Sequence, residues 1–339
     1  MPSSLAEILR NDSKRLEAAL GLDASSARIE VQCLLQATLQ VSRAWLLTHP
    51  EHILDAEQQA HYAALFERRL RGEPIAYILG EREFYGLNFR MTPATLIPRA
   101  DTELLVELAL QRIPQFLPSP QPSDGTTNQS TRPSKNNGQV AGYPACGRGS
   151  LFRVLDLGTG SGALALSIAH ARPDIEVTAV DASQEALDVA RENVQRLLAQ
   201  HESAHISTSS MRTGSCDMAV IANMRLLRSD WFAELRGKRF DMIVSNPPYI
   251  AENDTHLAQG DLRFEPRAAL ASGADGLDDI RRIVACAKQH LNADGWLLFE
   301  HGYDQAERAR ALLDMAGFSA VFSACDLSGI ERVSGGMIP

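Results

Sequence analysis

The sequence RVLDLGTGSGALALSIA occupies residues 153–169 and decides the fold. Its first five residues are typical of a buried strand, and the glycines that follow predict a tight turn whose backbone can approach a ligand. The apolar run from residue 163 predicts a helix whose first N–H groups face that ligand. A strand, a glycine-rich turn and a helix in this order predict a nucleotide site in an α/β sheet.

Two acidic residues narrow the choice of cofactor. The glycine pattern also fits dinucleotide sites, so it indicates an adenosine cofactor without saying which one. Asp181 ends the next predicted strand, at residues 176–180, and would accept hydrogen bonds from ribose hydroxyls in either case. Asp156 lies two residues before the first glycine, where a carboxylate attracts an ammonium group and repels a pyrophosphate. Asp156 therefore favours S-adenosylmethionine over NAD.

An aromatic residue follows the third predicted strand, at residues 224–227. Trp231 lies within the sequence Ser-Asp-Trp-Phe at residues 229–232. Its ring could lie flat against an adenine, or Trp231 could be a core residue at the end of the strand. The first interpretation adds an adenine contact to the predicted cofactor site.

The sequence Asn-Pro-Pro-Tyr at residues 246–249 follows a predicted buried strand at 240–245, at the edge where α/β sheets bind ligands. Its two prolines remove two backbone donors, so the carbonyls around them are expected to face a pocket. The Asn246 side-chain oxygen and the Pro247 carbonyl would each accept a hydrogen from a planar NH2 group, while the Tyr249 ring packs on its face. The motif predicts methylation of an amide or amine nitrogen, although alone it could also be a rigid turn.

The composition indicates a cytoplasmic enzyme. The length of 339 residues suggests about two domains, and a hydrophobic content of 45% is sufficient for a core in each. The formal net charge of −9 argues against an enzyme that scans nucleic acid, which needs a basic surface. The five cysteines form no C-x-x-C pair, which indicates reduced thiols. Neither a run of about 18 apolar residues nor a secretory signal is found, so no membrane contact is expected.

Periodicity and composition divide the chain. Apolar residues at helical spacing predict a helical N-terminal domain at residues 1–73, and alternating residues predict a β-hairpin linker at 74–98. The methyltransferase domain would occupy residues 99–339, and its first helix would have Asp101 as the N-cap and Glu103 in its first turn. Two polar stretches are predicted to be irregular insertions, namely residues 117–150 and about 200–222.

Residues 74–339 resemble the release-factor glutamine methyltransferases, the PrmC/HemK family. The resemblance rests on motifs at residues 95–99, 101–103, 156–162, 229–232, 245–250, 259–266 and 300–302. It implies an α/β fold with a seven-stranded, Rossmann-like class I methyltransferase domain behind a small all-helical N-terminal domain. It also implies S-adenosylmethionine as cofactor and class I peptide chain release factors as protein substrate. The methyl group would go to the side-chain amide nitrogen of the glutamine in their Gly-Gly-Gln motif, and the N-terminal domain would contact the release factor.

The motifs and the resemblance together assign the site residues. Cofactor binding is predicted for Asp156, Gly158, Thr159, Gly160, Ser161, Gly162, Asp181, Asp230, Trp231 and Asn246. A catalytic role is predicted for Asn246, Pro247 and Tyr249, and these residues with Pro248 would bind the glutamine amide. No metal site is predicted.

Other functions remain open at this point. An Asn-Pro-Pro-Tyr motif would equally suit a glutamine methyltransferase of a ribosomal protein or an adenine-N6 methyltransferase of nucleic acid. The Gly260 to Pro266 segment and the acidic charge favour the release factor as substrate, and no direct nucleic-acid contact is expected. A cofactor-sensing protein without turnover and a NAD oxidoreductase are the alternatives from other classes.

Some candidate residues have competing interpretations. The sequence His-Glu-Ser-Ala-His at residues 201–205 matches a zinc-protease motif, but its polar context indicates a chance match. Arg99 could contact a ligand or lie free on the surface. Glu265 could orient Tyr249 or Arg263, or form a loop ion pair. Glu300 is expected to support the pocket rather than to take part in catalysis.

Overall fold

The structure is a computed structural model that describes residues 3–115, 151–206 and 223–339. The predictions for residues 117–150 and 207–222 therefore lie outside the described residues. The predicted start of the second insertion, near residue 200, is wrong, because the helix Gln184–Ile206 continues through it. Residues 185–200 are rich in Ala, Leu, Glu, Arg and Gln, which favour continuation of a helix.

The first part of the chain is helical. It contains the helices α1 (Leu5–Leu20), α2 (Ala24–Leu39), α3 (Arg43–Thr48), α4 (Ala56–Leu70) and α5 (Ile75–Leu79). Capping boxes begin α1 and α4, where Ser4 and Asp55 each bind the backbone three residues ahead. Buried leucines of α1 and α2 form a core of their own.

The predicted hairpin is present but shorter than expected. Strands β1 (Glu81–Phe84) and β2 (Leu87–Arg90) pair antiparallel. The predicted range 74–98 is too wide, because residues 75–79 form α5 and residues beyond Arg90 leave the pair. Pro74 has the fixed φ that suits a helix start, and Gly80 ends the helix at φ 74°.

A seven-stranded sheet forms the centre of the second part, as predicted. Its strands are β3 (Arg153–Leu157), β4 (Glu176–Asp181), β5 (Met224–Arg228), β6 (Phe240–Ser245), β7 (Leu291–Glu300), β8 (Ser319–Cys325) and β9 (Glu331–Met337). They lie in the order β5-β4-β3-β6-β7-β9-β8, and only the pairs that involve β9 are antiparallel. The order reverses between β3 and β6, which creates a crevice at their carboxyl ends.

Helices cover both faces of this sheet. They are α6 (Glu103–Arg112), α7 (Ala163–Ala171), α8 (Gln184–Ile206), α9 (Asp278–His290) and α10 (Ala306–Met315). The predicted N-cap at Asp101 is wrong, because a 3₁₀ turn at Ala100–Thr102 precedes α6 and Thr102 occupies its N-cap position. Within the described ranges, no helix combines the length and the hydropathy that a membrane span requires.

Candidate active site

The crevice between β3 and β6 brings the two sequence motifs together. Leu157 and Ser245 are register partners at the ends of the two strands. The Ser245 hydroxyl donates a hydrogen bond of 2.8 Å to the Leu157 carbonyl, so the strand ends are fixed to each other. The glycine loop and the Asn-Pro-Pro-Tyr segment therefore start from adjacent points of one sheet edge.

The glycine loop crosses the end of β4. The backbone N–H groups of Gly158 and Thr159 both donate to the Val180 carbonyl at 2.9 Å. Gly158 has φ 72° and Gly160 has φ 57°, which are backbone angles that residues with a Cβ rarely adopt. The loop ends at Gly162, from which α7 begins. The loop thus makes the tight turn that the sequence predicts.

Asp181 is tied to this loop. Its Oδ2 accepts from the Gly160 N–H at 2.8 Å, and its Oδ1 accepts from the Ser183 N–H at 2.9 Å. Burial raises the pKa of this carboxyl above its usual value. Each carboxylate oxygen can accept more than one hydrogen bond, so capacity remains for hydroxyl groups of a ligand.

Asp156 is a buried carboxyl with only 1% of its surface exposed. Burial raises its pKa to about 7, and the nearby Asp181 adds to the rise, while the Thr159 hydroxyl opposes it through a bond of 2.7 Å. Among the described residues, no lysine or arginine offsets the raised pKa of either carboxyl. A bound ammonium group would supply that missing charge, so the two carboxyls fit an amino-acid-bearing cofactor.

The raised pKa of Asp156 makes a prediction about stability. Because the folded pKa is above the unfolded value of 3.8, the stabilising contribution of the neutral form is lost as the pH rises through about 7. We expect the stability of the cofactor-free Asp156→Asn variant to rise relative to wild type by about 3 kcal/mol between pH 5 and pH 8. Urea unfolding at both pH values measures this difference, with the exposed Asp314→Asn as control. Parallel pH profiles for wild type and Asp156→Asn would contradict the assignment.

Trp231 lies against the glycine loop. A methyl group built on Gly158 would lie 3.5 Å from the Trp231 ring. The backbone of Trp231 has φ 50°, and its carbonyl accepts a hydrogen bond of 2.8 Å from the Ser229 hydroxyl. The ring is half-buried and packs on the core, so the cofactor-facing and core interpretations of this residue both retain support. The neighbouring Asp230 forms an exposed ion pair with Arg282 at 2.8 Å, and its carboxylate is therefore engaged on α9.

Asn246 has one satisfied and one unsatisfied side-chain atom. Its Nδ2 donates to the Thr102 hydroxyl at 3.2 Å. Its Oδ1 is buried and has no hydrogen-bond partner among the described residues. A buried acceptor without a donor is costly, so this oxygen is expected to meet a donor from a ligand. Asn246, Pro247 and Tyr249 line a cavity of about 50 Å³ together with Leu96, Arg99, Ile250, Leu262, Ala269 and Leu270.

Tyr249 is held at both ends. Its hydroxyl donates to Glu300 Oε1 at 2.9 Å, and its carbonyl accepts from the Gln305 side-chain amide at 2.9 Å. The Glu300 carboxyl, together with burial, raises the pKa of the Tyr249 hydroxyl, which remains protonated. Glu300 is 1% exposed and holds the Tyr249 hydroxyl at the wall of the cavity.

Glu265 has partners other than the residues considered from the sequence. It accepts from the Ile97 N–H at 2.9 Å and forms an ion pair with Arg99. It does not bind Tyr249 or Arg263, so only the loop ion pair is confirmed. Arg99 is therefore not a free surface residue. The ion pair joins the segment before α6 to the segment after the Asn-Pro-Pro-Tyr motif, on two sides of the same cavity.

An arginine from the helical part of the chain reaches the same wall. Arg69 of α4 is 3% exposed and binds Glu30 at 2.6 Å and Asp261 at 3.1 Å. Asp261 precedes Leu262, which lines the cavity. The helical part is thus joined to the cavity wall through a buried charge.

Removal of this charge is expected to destabilise the fold. In the Arg69→Met variant Glu30 and Asp261 lose their partner, and we expect the free energy of unfolding to fall by about 3 kcal/mol. Denaturant unfolding measures the loss. The control is Arg225→Met, which removes an ion pair from an arginine that is 71% exposed and should cost less than about 1 kcal/mol. Equal losses in the two variants would contradict a stabilising role for the buried contact.

Two residues at the site were missed as functional residues. Thr102 binds Asn246, which is 144 positions away, and only the resemblance at residues 101–103 pointed to it. Asn193 of α8 donates to the Ser161 carbonyl at 2.9 Å and accepts from the Arg90 N–H at 2.6 Å, so it joins the glycine loop to the hairpin. No local pattern marks it. In the described residues no cluster of His, Cys, Asp and Glu could hold a metal, and the side chains of residues 201–205 lie outside that part.

Known proteins resemble this chain over nearly its whole length. The chain matches the PrmC N-terminal domain over residues 7–80 and a methyltransferase domain over residues 154–237. It is 46% identical to the release factor glutamine methyltransferase of Burkholderia pseudomallei over 100% of this chain and 97% of that protein. The enzyme of the same name from Bordetella pertussis is 44% identical over 93% of this chain and 97% of its own. A methyltransferase structure from Pyrococcus furiosus covers 80% of this chain and 96% of its own at 17% identity and a TM-score of 0.44. The identity of 44–46% to two relatives that it matches over almost their whole length shows that this chain is a methyltransferase of the release factor glutamine methyltransferase family.

Proposed function

We propose that this enzyme transfers a methyl group from S-adenosylmethionine to the side-chain amide nitrogen of glutamine in the Gly-Gly-Gln motif of class I peptide chain release factors. The observation that carries the proposal is the buried Asn246 Oδ1, an acceptor with no donor among the described residues. A primary amide nitrogen offers the missing hydrogen. The names of the full-length relatives support the release factor as the protein that carries this amide.

The glutamine amide would bind in the cavity beside Asn246. Its NH2 group has two hydrogens, of which one would go to Asn246 Oδ1 and the other to the Pro247 carbonyl. Pro248 would keep this backbone rigid, since its ring fixes φ. The Tyr249 ring would pack on the amide plane, and its hydroxyl bond to Glu300 holds the ring in place.

The cofactor would bind along the glycine loop. Asp156 would face its ammonium group, because this buried carboxyl has no cationic partner among the described residues. Asp181 would accept from its ribose hydroxyls, because its oxygens can each accept a further hydrogen bond. Thr159, Gly160 and Ser161 would form the loop between them, with Gly158 and Gly162 at its ends. Trp231 would contact the adenine, with Asp230 at the border of that site and Asn246 between the cofactor and the amide. When bound, S-adenosylmethionine supplies a methyl group that its sulfonium has already activated.

The residues of the chain would act mainly by positioning. The lone pair of an amide nitrogen is delocalised, so a fixed orientation towards the methyl group supplies much of the acceleration. Acceptors on both N–H bonds raise the electron density on nitrogen as positive charge develops there. The surplus proton can leave after transfer, so no strong base is needed beforehand. An asparagine, a carbonyl and an aromatic ring are sufficient for this chemistry.

Two other acceptors would suit the same cavity. A glutamine of a ribosomal protein presents the same amide, and the exocyclic amine of adenine is also a planar NH2 group. The formal net charge of −9 weighs against nucleic acid as the substrate. The relatives at 44–46% identity, which carry the release factor name, favour the release factor over a ribosomal protein. A release factor substrate also implies that the enzyme works in the cytoplasm.

A competition assay distinguishes these acceptors. The purified enzyme would be incubated with methyl-labelled S-adenosylmethionine and a mixture of unmodified class I release factor, ribosomal proteins and adenine-rich DNA. We expect label on the release factor alone. Label mainly on a ribosomal protein or on DNA would overturn the proposed substrate. Binding of the cofactor without label on any component would indicate a protein without turnover.

A further inference from the structure

A buried side-chain amide joins the Asn-Pro-Pro-Tyr segment to the turn after β7. Gln305 occupies the N-cap position of α10 and is 4% exposed. Its Nε2 donates to the Tyr249 carbonyl at 2.9 Å, and its Oε1 accepts from the Gly302 N–H at 2.8 Å. The Asp275 and Gly276 carbonyls lie 3.4 Å from the same Nε2. The orientation of the amide is therefore fixed, because carbonyls only accept and a backbone N–H only donates.

Two glycines leave the space that this amide occupies. A Cβ on Gly276 would lie 2.8 Å from Gln305 Nε2, and a Cβ on Gly302 would lie 3.1 Å from Gln305 Oε1. The φ of Gly302 is not positive, so its backbone conformation does not require glycine. The space for the Gln305 amide is the physical reason for glycine at this position.

The turn that carries Gly302 is held from its other side. The Gly302 carbonyl accepts from His301 Nδ1 at 2.9 Å and from the Gln305 N–H at 3.0 Å. His301 is fully buried, and its Nε2 lies 2.8 Å from the Ser334 hydroxyl. The carbonyl requires the ring proton on Nδ1, and burial lowers the pKa of the ring, so Nε2 accepts from Ser334. Gly302 thus presents a fixed N–H group to Gln305.

We propose that Gln305 is a positioning residue for methyl transfer, which holds the Tyr249 carbonyl and so fixes the Tyr249 ring against the substrate amide. The hydroxyl bond to Glu300 holds the other end of the ring, so Tyr249 has two anchors. With the hydroxyl anchor alone, the backbone of Tyr249 can shift and the ring can tilt. Gln305 lies outside the lining of the cavity and acts through Tyr249. This role rests on the proposed function, which places the Tyr249 ring on the amide plane.

Gln305→Glu is the most selective change. It keeps the shape of the side chain and the oxygen that accepts from Gly302, but it replaces the NH2 group by an oxygen that faces three carbonyls. The ionised carboxylate repels these oxygens and leaves the Tyr249 carbonyl without its donor. The neutral carboxyl has an O–H group that can donate to the Tyr249 carbonyl again. The loss in the variant should therefore depend on pH.

Burial and the three carbonyls raise the pKa of the introduced carboxyl, and buried glutamates reach about 8–9. The neighbouring groups keep their charge between pH 6.5 and pH 9. Arg281 holds the pKa of Asp275 at about 2, and burial lowers the pKa of His301. The Glu300 carboxyl and burial raise the pKa of the Tyr249 hydroxyl. Division by the wild-type rate at each pH removes the effects of groups that both enzymes share.

Single-turnover rates of methyl transfer to class I release factor measure the effect, with cofactor and factor saturating. We expect Gln305→Glu to lie within about threefold of wild type at pH 6.5 and to be about tenfold slower at pH 9. Gln305→Met has neither a charge nor a proton to gain, and it should be about tenfold slower at both pH values. The matched control is Gln36→Glu on α2, where the NH2 group also donates to a backbone carbonyl, that of Gln32 at 3.2 Å. Its rate should equal that of wild type at both pH values.

The affinity for S-adenosylhomocysteine separates positioning from a loss of cofactor binding, and it should be unchanged in both Gln305 variants. A wild-type rate for Gln305→Met would overturn the inference, and this variant decides the matter if Gln305→Glu does not fold. A loss in folded Gln305→Glu that is the same at both pH values would also overturn it, as would a matching loss of S-adenosylhomocysteine affinity. A wild-type enzyme that transfers no methyl group to the release factor would instead overturn the proposed function.

Discussion

Replacement of Asn246 by alanine is expected to lower turnover by on the order of 10²-fold or more, the loss seen when one preorganised partner of a reacting group is removed. The variant loses the buried Oδ1 that has no other partner among the described residues. Without this acceptor the amide nitrogen is less well oriented, and its developing charge is less well stabilised. Single-turnover rates at saturating cofactor measure the chemical step independently of any change in cofactor affinity.

Asn292→Ala is the matched control for this experiment. Asn292 is half-buried near the start of β7 and donates to Asp241 Oδ1 at 2.6 Å, far from the carboxyl ends of the strands. Its replacement removes a half-buried amide without touching the cavity, so its single-turnover rate should stay within about threefold of wild type. An Asn246→Ala variant that binds the cofactor and turns over at the same rate as the control would contradict the role of Asn246 as the acceptor for the amide nitrogen.

Replacement of Gly276 by alanine should be the most damaging glycine substitution near the site. A Cβ at this position would lie 2.2 Å from the Tyr249 carbonyl oxygen and 2.8 Å from the Gln305 amide nitrogen. A backbone atom cannot turn aside as a side chain can, so Tyr249 must shift with the segment that carries it. A displacement of this kind can cost on the order of 10²-fold in turnover. We expect that loss, together with a fall in the free energy of unfolding.

Gly237→Ala separates backbone strain from this overlap. Gly237 has φ 74°, close to the 75° of Gly276, but a Cβ there meets nothing within 4 Å. Both variants therefore carry the cost of a left-handed residue, of order 1–2 kcal/mol. The overlap should cost Gly276→Ala about 2 kcal/mol more in urea unfolding. Equal stability and equal turnover in the two variants would show that Tyr249 is not held against Gly276.

Local sequence patterns predicted the segments of the site that each belong to a single strand and the turn after it. The glycine loop at residues 158–162 and the segment at 246–249 each follow a strand. Glycine permits the left-handed backbone of the first turn, and proline fixes φ in the second. Their placement at one sheet edge follows from the parallel order of α/β strands. The start of α6 was predicted less well. Aspartate is a favoured N-cap residue, which pointed to Asp101, but the chain forms a 3₁₀ turn there that brings Thr102 to Asn246. Here a tertiary contact outweighs a local preference.

Contacts between distant parts of the chain are the hardest to predict from the sequence. Glu265 binds Arg99 and the Ile97 N–H across more than 160 positions, and Arg69 binds Asp261 across 192. A charged residue in a loop or on a helix has many possible partners, and its sequence neighbours do not select among them. The hydrogen bond of the Asn246 amide is similar, because its Nδ2 binds Thr102, which the Asn-Pro-Pro-Tyr motif does not specify.

The methyl group is expected on one glutamine nitrogen of the release factor. The most direct test incubates the enzyme with methyl-labelled S-adenosylmethionine and unmodified class I release factor, beside a copy in which the Gly-Gly-Gln glutamine is alanine. Fragment mass spectrometry then locates the label. We expect one added methyl group on the glutamine side chain of the intact factor and none on the alanine copy. Equal label on both factors, or label at another residue, would contradict it.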